Sequence, residues 1–417
     1  MLSTRRLGLV VLVSLLLSRS AAQEVCRIPG GPLPIRPPAE KQDLNEFDRT
    51  MLREMQDRGA VGAAIAVTRA GKLIYARGFG YANLQNKEPV QPTSLFRIAS
   101  ISKTITAVAV LQLVQKRKLG LDVAFVDVLK LRPVLEAGRE PDSRMRQVTI
   151  RHLLNHCGGW DRDEAFDPMT SENRKKAALS AGVADDEVRP EHIVGYMLGQ
   201  PLDFDPGTRY AYSNFGYCVL GRVIEKVSGQ TYEEYVKEHV LAPLGIREMR
   251  IGTTTPQANE VMYYKPQIQN DQPQPGGYVS ANAAAGPIDV YESMGGWIAS
   301  VVDLAKFVSA FDAPSRCKIL SSRAIDAMFA RPAGLPGLDA TGQPKQKYYG
   351  FGWNVSYGSA GPTVYHAGGL RSTTGAIFRR PDGVNWVLLM NVPKREDKPS
   401  ITAALQETAE ALRGSRW

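Results

Sequence analysis

The sequence has no apolar run long enough to cross a lipid bilayer. Its most apolar stretch, residues 7–17, is shorter than the roughly 20 residues that a membrane-spanning helix needs. Basic residues are in excess, with a formal net charge of +9, but they form no dense block and accompany no nucleic-acid motif. Hydrophobic residues make up 43% and charged residues 22% of the chain, and no internal repeat is present. The composition is therefore that of a globular protein, and we predict no nucleic-acid partner.

Cysteine and histidine are also scarce. An even number of cysteines in an exported chain permits disulfides, with three possible pairings among Cys26, Cys157, Cys218 and Cys317. Their spacings match no metal-site pattern. His152 and His156 have the i, i+4 spacing of a metal pair but no obvious third ligand. We therefore predict neither a metal nor a cofactor.

The first residues have the pattern of a secretory signal. Arg5 and Arg6 precede the apolar residues 7–17, and Ser20, Ala21 and Ala22 supply small residues for cleavage before Gln23. We expect a signal peptide over residues 1–22, followed by a proline-rich linker over residues 23–41. An uncleaved anchor is the alternative. The expected location is secreted or periplasmic, with no integral membrane segment after cleavage.

Hydrophobic periodicity predicts a helix and strands at each end of the chain. Residues 44–55 carry a helical stripe closed by Gly59, and residues 61–67 and 72–76 have the pattern of two strands. Toward the other end, residues 374–379 and 384–391 have the pattern of a hairpin with its turn at residues 381–383, and residues 401–412 carry a final helical stripe.

The region between these ends is mostly helical in pattern. We therefore predict an α+β fold: an antiparallel sheet built from both chain ends, flanked by terminal helices, with a mainly helical insertion over about residues 100–329. One domain would cover residues 42–413. Residues 161–190 and 256–290 lack periodicity and are expected to be loops or lids. A cleft where the sheet meets the insertion is the expected site.

A serine and a lysine one helical turn apart are the strongest chemical signal. Ser100 and Lys103 open a long apolar helical run, so both side chains lie on one face and the amine can help to deprotonate the hydroxyl. The helix start would also favour a developing oxyanion. Ser100 could instead be only a helix cap. A second Ser-x-x-Lys, from Ser315 to Lys318, has no comparable helix behind it.

Two further elements complete the candidate site. Tyr212 and Asn214 follow a turn and precede a helix, so the tyrosine can point into a cleft, although packing and capping are ordinary alternatives. His366 ends a strand-like segment and is followed by Gly368 and Gly369, which would let a substrate backbone approach closely. A lone histidine is more often structural.

Taken in order, these motifs resemble the serine β-lactamase and penicillin-recognising hydrolase family, in particular its class C branch with related D-alanyl-D-alanine carboxypeptidases and esterases. The similarity covers about residues 43–413 and is carried by residues 93–103, 150–159, 206–214, 295–297, 300–305 and 349–353. In the lactamases themselves the third motif begins with lysine, whereas this chain has His366. A histidine offers a positive charge to a substrate carboxylate only when it is protonated.

The resemblance implies acyl transfer through Ser100 without a cofactor. Lys103 would be the base, and Tyr212, hydrogen-bonded to it, would shuttle the proton; His366 would complete the polar network or orient the substrate. The backbone N–H groups of Ser100 and Gly369 would hold the oxyanion, and Asn214 the substrate amide or the lysine. The expected substrate is a small-molecule or peptide ester, amide or D-amino-acid peptide. The alternatives are a class C-type β-lactamase and a catalytically inactive envelope binding or scaffold protein. Oligomeric state is not predicted.

Overall fold

The computed structural model describes residues 25–27, 46–135, 138–269, 272–282, 288–371, 373–392 and 403. The helices are α1 Glu46–Arg58, α2 Ser102–Gln115, α3 Phe125–Leu129, α4 Ile150–Leu154, α5 Ser171–Ala181, α6 Pro190–Leu198, α7 Asn214–Ser228, α8 Tyr232–Val236, α9 Val301–Ser309 and α10 Ser322–Phe329. The expected signal peptide and, apart from residue 403, the final helical stripe lie outside the described residues.

The strands form one large sheet and two small ones. They are β1 Val25–Arg27, β2 Gly62–Arg69, β3 Lys72–Asn83, β4 Glu88–Pro89, β5 Phe96–Arg97, β6 Arg250–Ile251, β7 Tyr264–Gln269, β8 Gln272–Ser280, β9 Trp297–Ala299, β10 Lys347–Tyr349, β11 Asn354–Gly358, β12 Gly361–Leu370, β13 Thr373–Arg379 and β14 Val384–Met390.

The large sheet joins the two ends of the chain, as predicted. Its strand order is β10-β11-β12-β13-β14-β2-β3-β4, and every neighbouring pair is antiparallel. The junction is the pairing of β14 with β2, where Val387 lies opposite Ala66. The turn between β2 and β3 uses Ala70 and Gly71, both with positive φ, and Gly383 closes the hairpin between β13 and β14 with φ of 76°.

Both faces of the central strands are covered. In β2, Ala64 and Ala66 face the core that contains α2, whereas Ile65 and Val67 face a second cluster that contains Met51 and Met55 of α1. Period-2 alternation therefore sends successive side chains into two different apolar layers. This explains why β2 is apolar along almost its whole length.

The insertion is mainly helical, as predicted, but the described parts of two segments expected to be loops contain regular secondary structure. Residues 161–190 contain α5, which Thr170 caps at its start and which Gly182 ends in the left-handed region. Residues 256–290 contain the β7–β8 hairpin. The composition of this hairpin is poor in strand-forming residues, so its pairing is not evident from propensity.

The segment expected to be a linker also contains a strand. Strand β1, residues 25–27, pairs antiparallel with β8, with Cys26 opposite Tyr278. The first part of that segment therefore extends a small sheet, β1-β8-β7, by backbone hydrogen bonds that side-chain patterns do not reveal. Among the described residues, no helix has the length and apolarity needed to span a membrane.

Candidate active site

Ser100 lies in a single 3₁₀ turn, Ala99–Ile101, directly before α2 begins at Ser102. Ser100 therefore lies in a 3₁₀ turn just before the α-helix that we expected it to open. Ala99 has φ of 48°, a left-handed conformation that alanine rarely adopts. Ser100 is partly exposed while its neighbours on both sides are buried. Strain beside an exposed hydroxyl is common where a side chain is held for chemistry.

Arg97 fixes the segment that leads into this turn. Its guanidinium, fully buried, donates to Glu260 and to the backbone carbonyls of Thr253, Thr254 and Asn282. The backbone carbonyl of Arg97 accepts a hydrogen bond from Thr373 at the start of β13. The serine turn is thus tied to both the insertion and the large sheet.

The amine of Lys103 reaches Ser100, as the spacing predicts. Lys103 Nζ lies 3.1 Å from Ser100 Oγ, 2.9 Å from Asn214 Oδ1 and 2.8 Å from the Met294 carbonyl oxygen. The lysine is fully buried, and its burial lowers its pKa well below the usual value, with a further lowering by Arg162. Asp167 acts in the opposite direction.

Tyr212 joins the same cluster through the serine. Its phenol lies close enough to Ser100 for the serine to lower its pKa, but burial outweighs this effect and raises the pKa to about 12, so the phenol keeps its proton at neutral pH. Lys103 Nζ lies 5.0 Å from the centroid of the ring, and its hydrogen bonds go to other groups. Among the contacts of the described residues there is therefore no direct hydrogen bond between Tyr212 and Lys103, which was expected; the lysine lies over the face of the tyrosine ring instead.

His366 is buried and uncharged. Its Nδ1 lies 2.7 Å from the Ala367 carbonyl oxygen, which only accepts, so Nδ1 carries the proton. Its Nε2 then accepts from the Tyr349 hydroxyl at 2.9 Å. Burial, helped by Lys103, lowers the pKa of His366 to about 3. A neutral imidazole cannot supply the fixed positive charge that a lysine would give at this place.

The glycines after His366 bring β12 against the serine turn. A Cβ added to Gly368 would lie 2.2 Å from the Ile98 carbonyl oxygen, which is too close for any side chain. Gly369 pairs with Thr374 in the neighbouring strand. The strand therefore runs beside the turn that carries Ser100, and only glycine at position 368 permits this approach.

Sequence reasoning missed two charged groups of the site, Arg162 and Asp167. The Asp167 carboxylate accepts from Asn214 Nδ2, and the Arg162 guanidinium carbon lies 4.5 Å from the centroid of the Tyr212 ring. Both come from the segment expected to be a lid, and no local motif marks either residue.

The histidine pair considered for a metal is divided between two roles. Helix α4 ends at Leu154, so His152 and His156 do not share a helix face. His152 Nδ1 accepts from the Thr149 backbone at the helix start. The buried His156 ring lies 4.2 Å from the ring of Tyr212, centroid to centroid. Across the described part of the chain, His, Cys, Asp and Glu side chains form no group of three that could hold a metal.

The described cysteines are not paired with one another. Cys157 and Cys218 are buried and Cys317 is partly buried, and all three are free thiols. The side chain of Cys26 lies outside the described atoms. Burial raises the pKa of both Cys157 and Cys218 to about 12, so neither has the environment of a reactive thiolate.

Comparison with known proteins agrees with the fold. The profile of the beta-lactamase family matches residues 47–410. Esterase EstB of Burkholderia gladioli is 32% identical over 233 residues, which are 55% of this chain and 55% of that protein. Penicillin-binding protein 4* of Bacillus subtilis (strain 168) is 29% identical over 211 residues, or 51% of this chain and 42% of that protein. The chain thus spans about half the length of these curated relatives.

Among solved structures, an octameric penicillin-binding protein homologue from Pyrococcus abyssi aligns with a TM-score of 0.68 at 26% identity. The alignment covers 89% of this chain and 78% of that one. The family profile spans most of the sequence, from α1 past the last described strand. The chain therefore belongs to the beta-lactamase family.

Proposed function

We propose that this chain is an exported serine hydrolase that acts through a Ser100 acyl-enzyme on an ester, an amide or a D-amino-acid peptide. The observation that carries the proposal is the hydrogen-bond set of the Lys103 amine. The Met294 carbonyl and Asn214 Oδ1 can only accept. A neutral amine has two N–H groups for them, and its lone pair then faces Ser100 Oγ at 3.1 Å. The geometry is that of a base beside its alcohol.

Acylation follows from this arrangement. Ser100 Oγ forms a bond to the carbonyl carbon of the substrate while its proton passes to Lys103 Nζ, and the carbonyl π electrons move to oxygen. The backbone N–H groups of Ser100 and Gly369 would receive this oxyanion. When the tetrahedral intermediate collapses, the bond to the alcohol or amine leaving group breaks and the carbonyl re-forms.

Tyr212 would return the proton to the leaving group. Its closeness to Ser100 and its raised pKa would make it a neutral donor at the reacting oxygen, and Lys103 would replenish its proton. In deacylation a water attacks the acyl carbon, its proton passes to the same groups, and Ser100 leaves with a proton. The net reaction consumes one water and releases an acid with an alcohol or amine.

The uncharged third motif favours esters and amides over β-lactams. A β-lactam antibiotic carries a carboxylate, and the neutral His366 offers no positive charge to it. Asn214 and His366 then support the reacting groups structurally. Asn214 hydrogen-bonds to Lys103, and His366 hydrogen-bonds to Tyr349. The similarity to an esterase over half the chain supports this preference.

The test is covalent labelling by a fluorophosphonate probe, with the chain's own second Ser-x-x-Lys as the matched control. We expect Ser100→Ala to abolish labelling and Lys103→Met to slow it by orders of magnitude. Ser315→Ala and Lys318→Met should label like the wild type, because Ser315 lies in an isolated 3₁₀ turn, Pro314–Arg316, that ends before Lys318. Equal labelling of the wild type and Ser100→Ala would reject the proposal.

Substrate panels separate the rivals. Turnover of p-nitrophenyl esters with negligible turnover of a chromogenic cephalosporin is expected, and the reverse preference would identify a β-lactamase. An inactive binding protein would show neither turnover nor probe labelling.

Export and domain extent belong to the same proposal. The basic and apolar pattern of residues 1–22 supports a signal peptide, and the family match supports a single domain over residues 42–413. Mass spectrometry of the protein recovered from a secreting host should find Gln23 at the amino terminus. A mature chain that still begins at Met1 would contradict cleavage.

A further inference from the structure

The segment that leads into α5 brings two opposite charges to the catalytic lysine. Arg162 and Asp167 are five positions apart, both precede the cap Thr170, and both act electrostatically on Lys103 and on Tyr212. No motif of the family resemblance includes either residue. Their placement indicates that this segment influences the charge of the reacting groups.

Asp167 reaches Lys103 through one side chain. Asn214 donates from Nδ2 to the Asp167 carboxylate and accepts with Oδ1 from Lys103 Nζ at 2.9 Å. Because a carboxylate only accepts, it fixes which end of the Asn214 amide faces the lysine. The carboxylate is itself held by the backbone N–H of Met169, 2.9 Å from Oδ1. Hydrogen bonds therefore connect the segment before α5 to the Lys103 amine through Asp167 and Asn214.

Arg162 influences Lys103 from a position beside the Tyr212 ring. Its guanidinium carbon lies 4.5 Å from the centroid of the Tyr212 ring, and Lys103 Nζ lies 5.0 Å from the same centroid. The side chain is 38% exposed and its ion-pair partner Asp163, 3.5 Å away, is 79% exposed. Solvent therefore screens the guanidinium partly, so its influence on the amine should be smaller than that of a buried charge.

We propose that Arg162 and Asp167 are opposed positioning residues for Lys103: Asp167 orients Asn214 and favours the ammonium form, whereas Arg162 favours the neutral amine. The inference rests on the proposed function, because it concerns the charge of the base that activates Ser100. By this inference, the segment before α5 sets the pH range over which Ser100 is acylated.

Of the described groups around the amine, Lys103 is the one that we expect to titrate in the working pH range. Burial lowers the pKa of His156 and of His366 and raises those of Tyr212 and Tyr217, so each of these stays neutral near pH 7. The groups that face Lys103 are Ser100 from the serine turn, the Met294 carbonyl, Asn214 and Tyr217 from α7, Tyr212, His156, His366 from β12, and Arg162 and Asp167.

The experiment measures the acylation rate against pH in single charge-removing variants. Asp167→Asn keeps an oxygen that can accept from Asn214 but removes the charge, so the acidic limb should move to lower pH by about one unit. Arg162→Gln should move the limb to higher pH by about half a unit, and Arg162→Lys should leave it near the wild-type position. Glu172→Gln and Lys175→Gln, on α5, are matched charge controls and should not move it.

A purely structural role would not move the acidic limb in opposite directions in Asp167→Asn and Arg162→Gln. Titration of Lys103 by NMR of ¹³Cε-labelled lysine, with the signal assigned from Lys103→Arg, provides the same readout without turnover. The inference would be overturned if the acidic limb of the pH profile and the Lys103 titration stayed fixed in both variants, or moved in the same direction in both. In that case, probe labelling that still requires Ser100 would leave the proposed function intact. Absence of labelling in the wild type would overturn both.

Discussion

Replacing Gly368 by alanine tests whether β12 really presses against the serine turn. The added Cβ would lie 2.2 Å from the Ile98 carbonyl oxygen and 3.3 Å from Ile101 Cγ1. Nonbonded heavy atoms normally sit about 3.5 Å apart, so the strand and the turn must separate by about 1 Å. The carbonyl cannot simply turn away, because it accepts the backbone hydrogen bond of Ile101 that closes the 3₁₀ turn.

The size of the effect follows from that separation. Forcing an extra methyl group into a tightly packed place costs about 1–3 kcal/mol of stability. A displacement of about 1 Å between a nucleophile and its oxyanion donors costs on the order of 100-fold in rate. We therefore expect the kcat/KM of Gly368→Ala for a p-nitrophenyl ester to fall by roughly two orders of magnitude, while the protein still folds.

Two assays and one matched variant make this test decisive. Thermal unfolding reports the stability loss, and esterase kinetics report the separation of the strand from the turn. Gly358→Ala, in β11 of the same sheet, is the control, because a Cβ there would meet only the Gly361 carbonyl oxygen at 3.8 Å. It should leave both measurements nearly unchanged. A Gly368→Ala enzyme within a few-fold of wild-type kcat/KM would refute the close approach of β12 to Ser100.

Three further predictions concern stability and thiol reactivity. Because burial lowers the pKa of His366 to about 3 while the unfolded chain titrates near 6.5, the unfolded state takes up the proton first, and stability falls as the pH drops from 6.5 towards 3. Urea unfolding of His366→Gln should therefore lose about 1.4 kcal/mol less per pH unit than the wild type in this range, and equal slopes would contradict it. Arg97→Met should cost about 3–5 kcal/mol in denaturant unfolding, since it leaves the buried Glu260 carboxylate without its ion-pair partner, and a loss below 1 kcal/mol would contradict this. A thiol reagent should modify Cys317 before the buried Cys157 and Cys218, and reaction of all three at one rate in the native protein would show that the latter are not enclosed.

The sequence was informative wherever a periodic pattern or a fixed spacing determined the structure. The hairpins of the large sheet follow from apolar runs broken by Gly71 and Gly383, whose positive φ the turns require. The contact between Ser100 and Lys103 follows from three-residue spacing in a helical segment. The helix α5 could also have been predicted, because Thr170 and Gly182 have the residue types of a helix cap and a helix end.

Other parts of the site could not have been predicted from one sequence. Met294 contributes only a backbone carbonyl, which every residue possesses, so no side-chain pattern identifies it. Asp167 lies 47 positions from Asn214 and has no motif around it. Whether Lys103 meets the hydroxyl of Tyr212 or, as here, the face of its ring depends on distances of about an ångström, which are set by tertiary packing.

The histidine at position 366 explains why the segment before α5 can control this site. A lysine at this position, as in the third motif of the lactamases that the chain resembles, would add a positive charge, and a positive charge near an amine depresses the pKa of that amine. Here burial keeps His366 neutral, so that contribution is missing. The charge of Lys103 then depends on its burial and on the balance between Arg162 and Asp167. With His366 neutral, Arg162 is the cation of the described site whose charge favours a neutral lysine base.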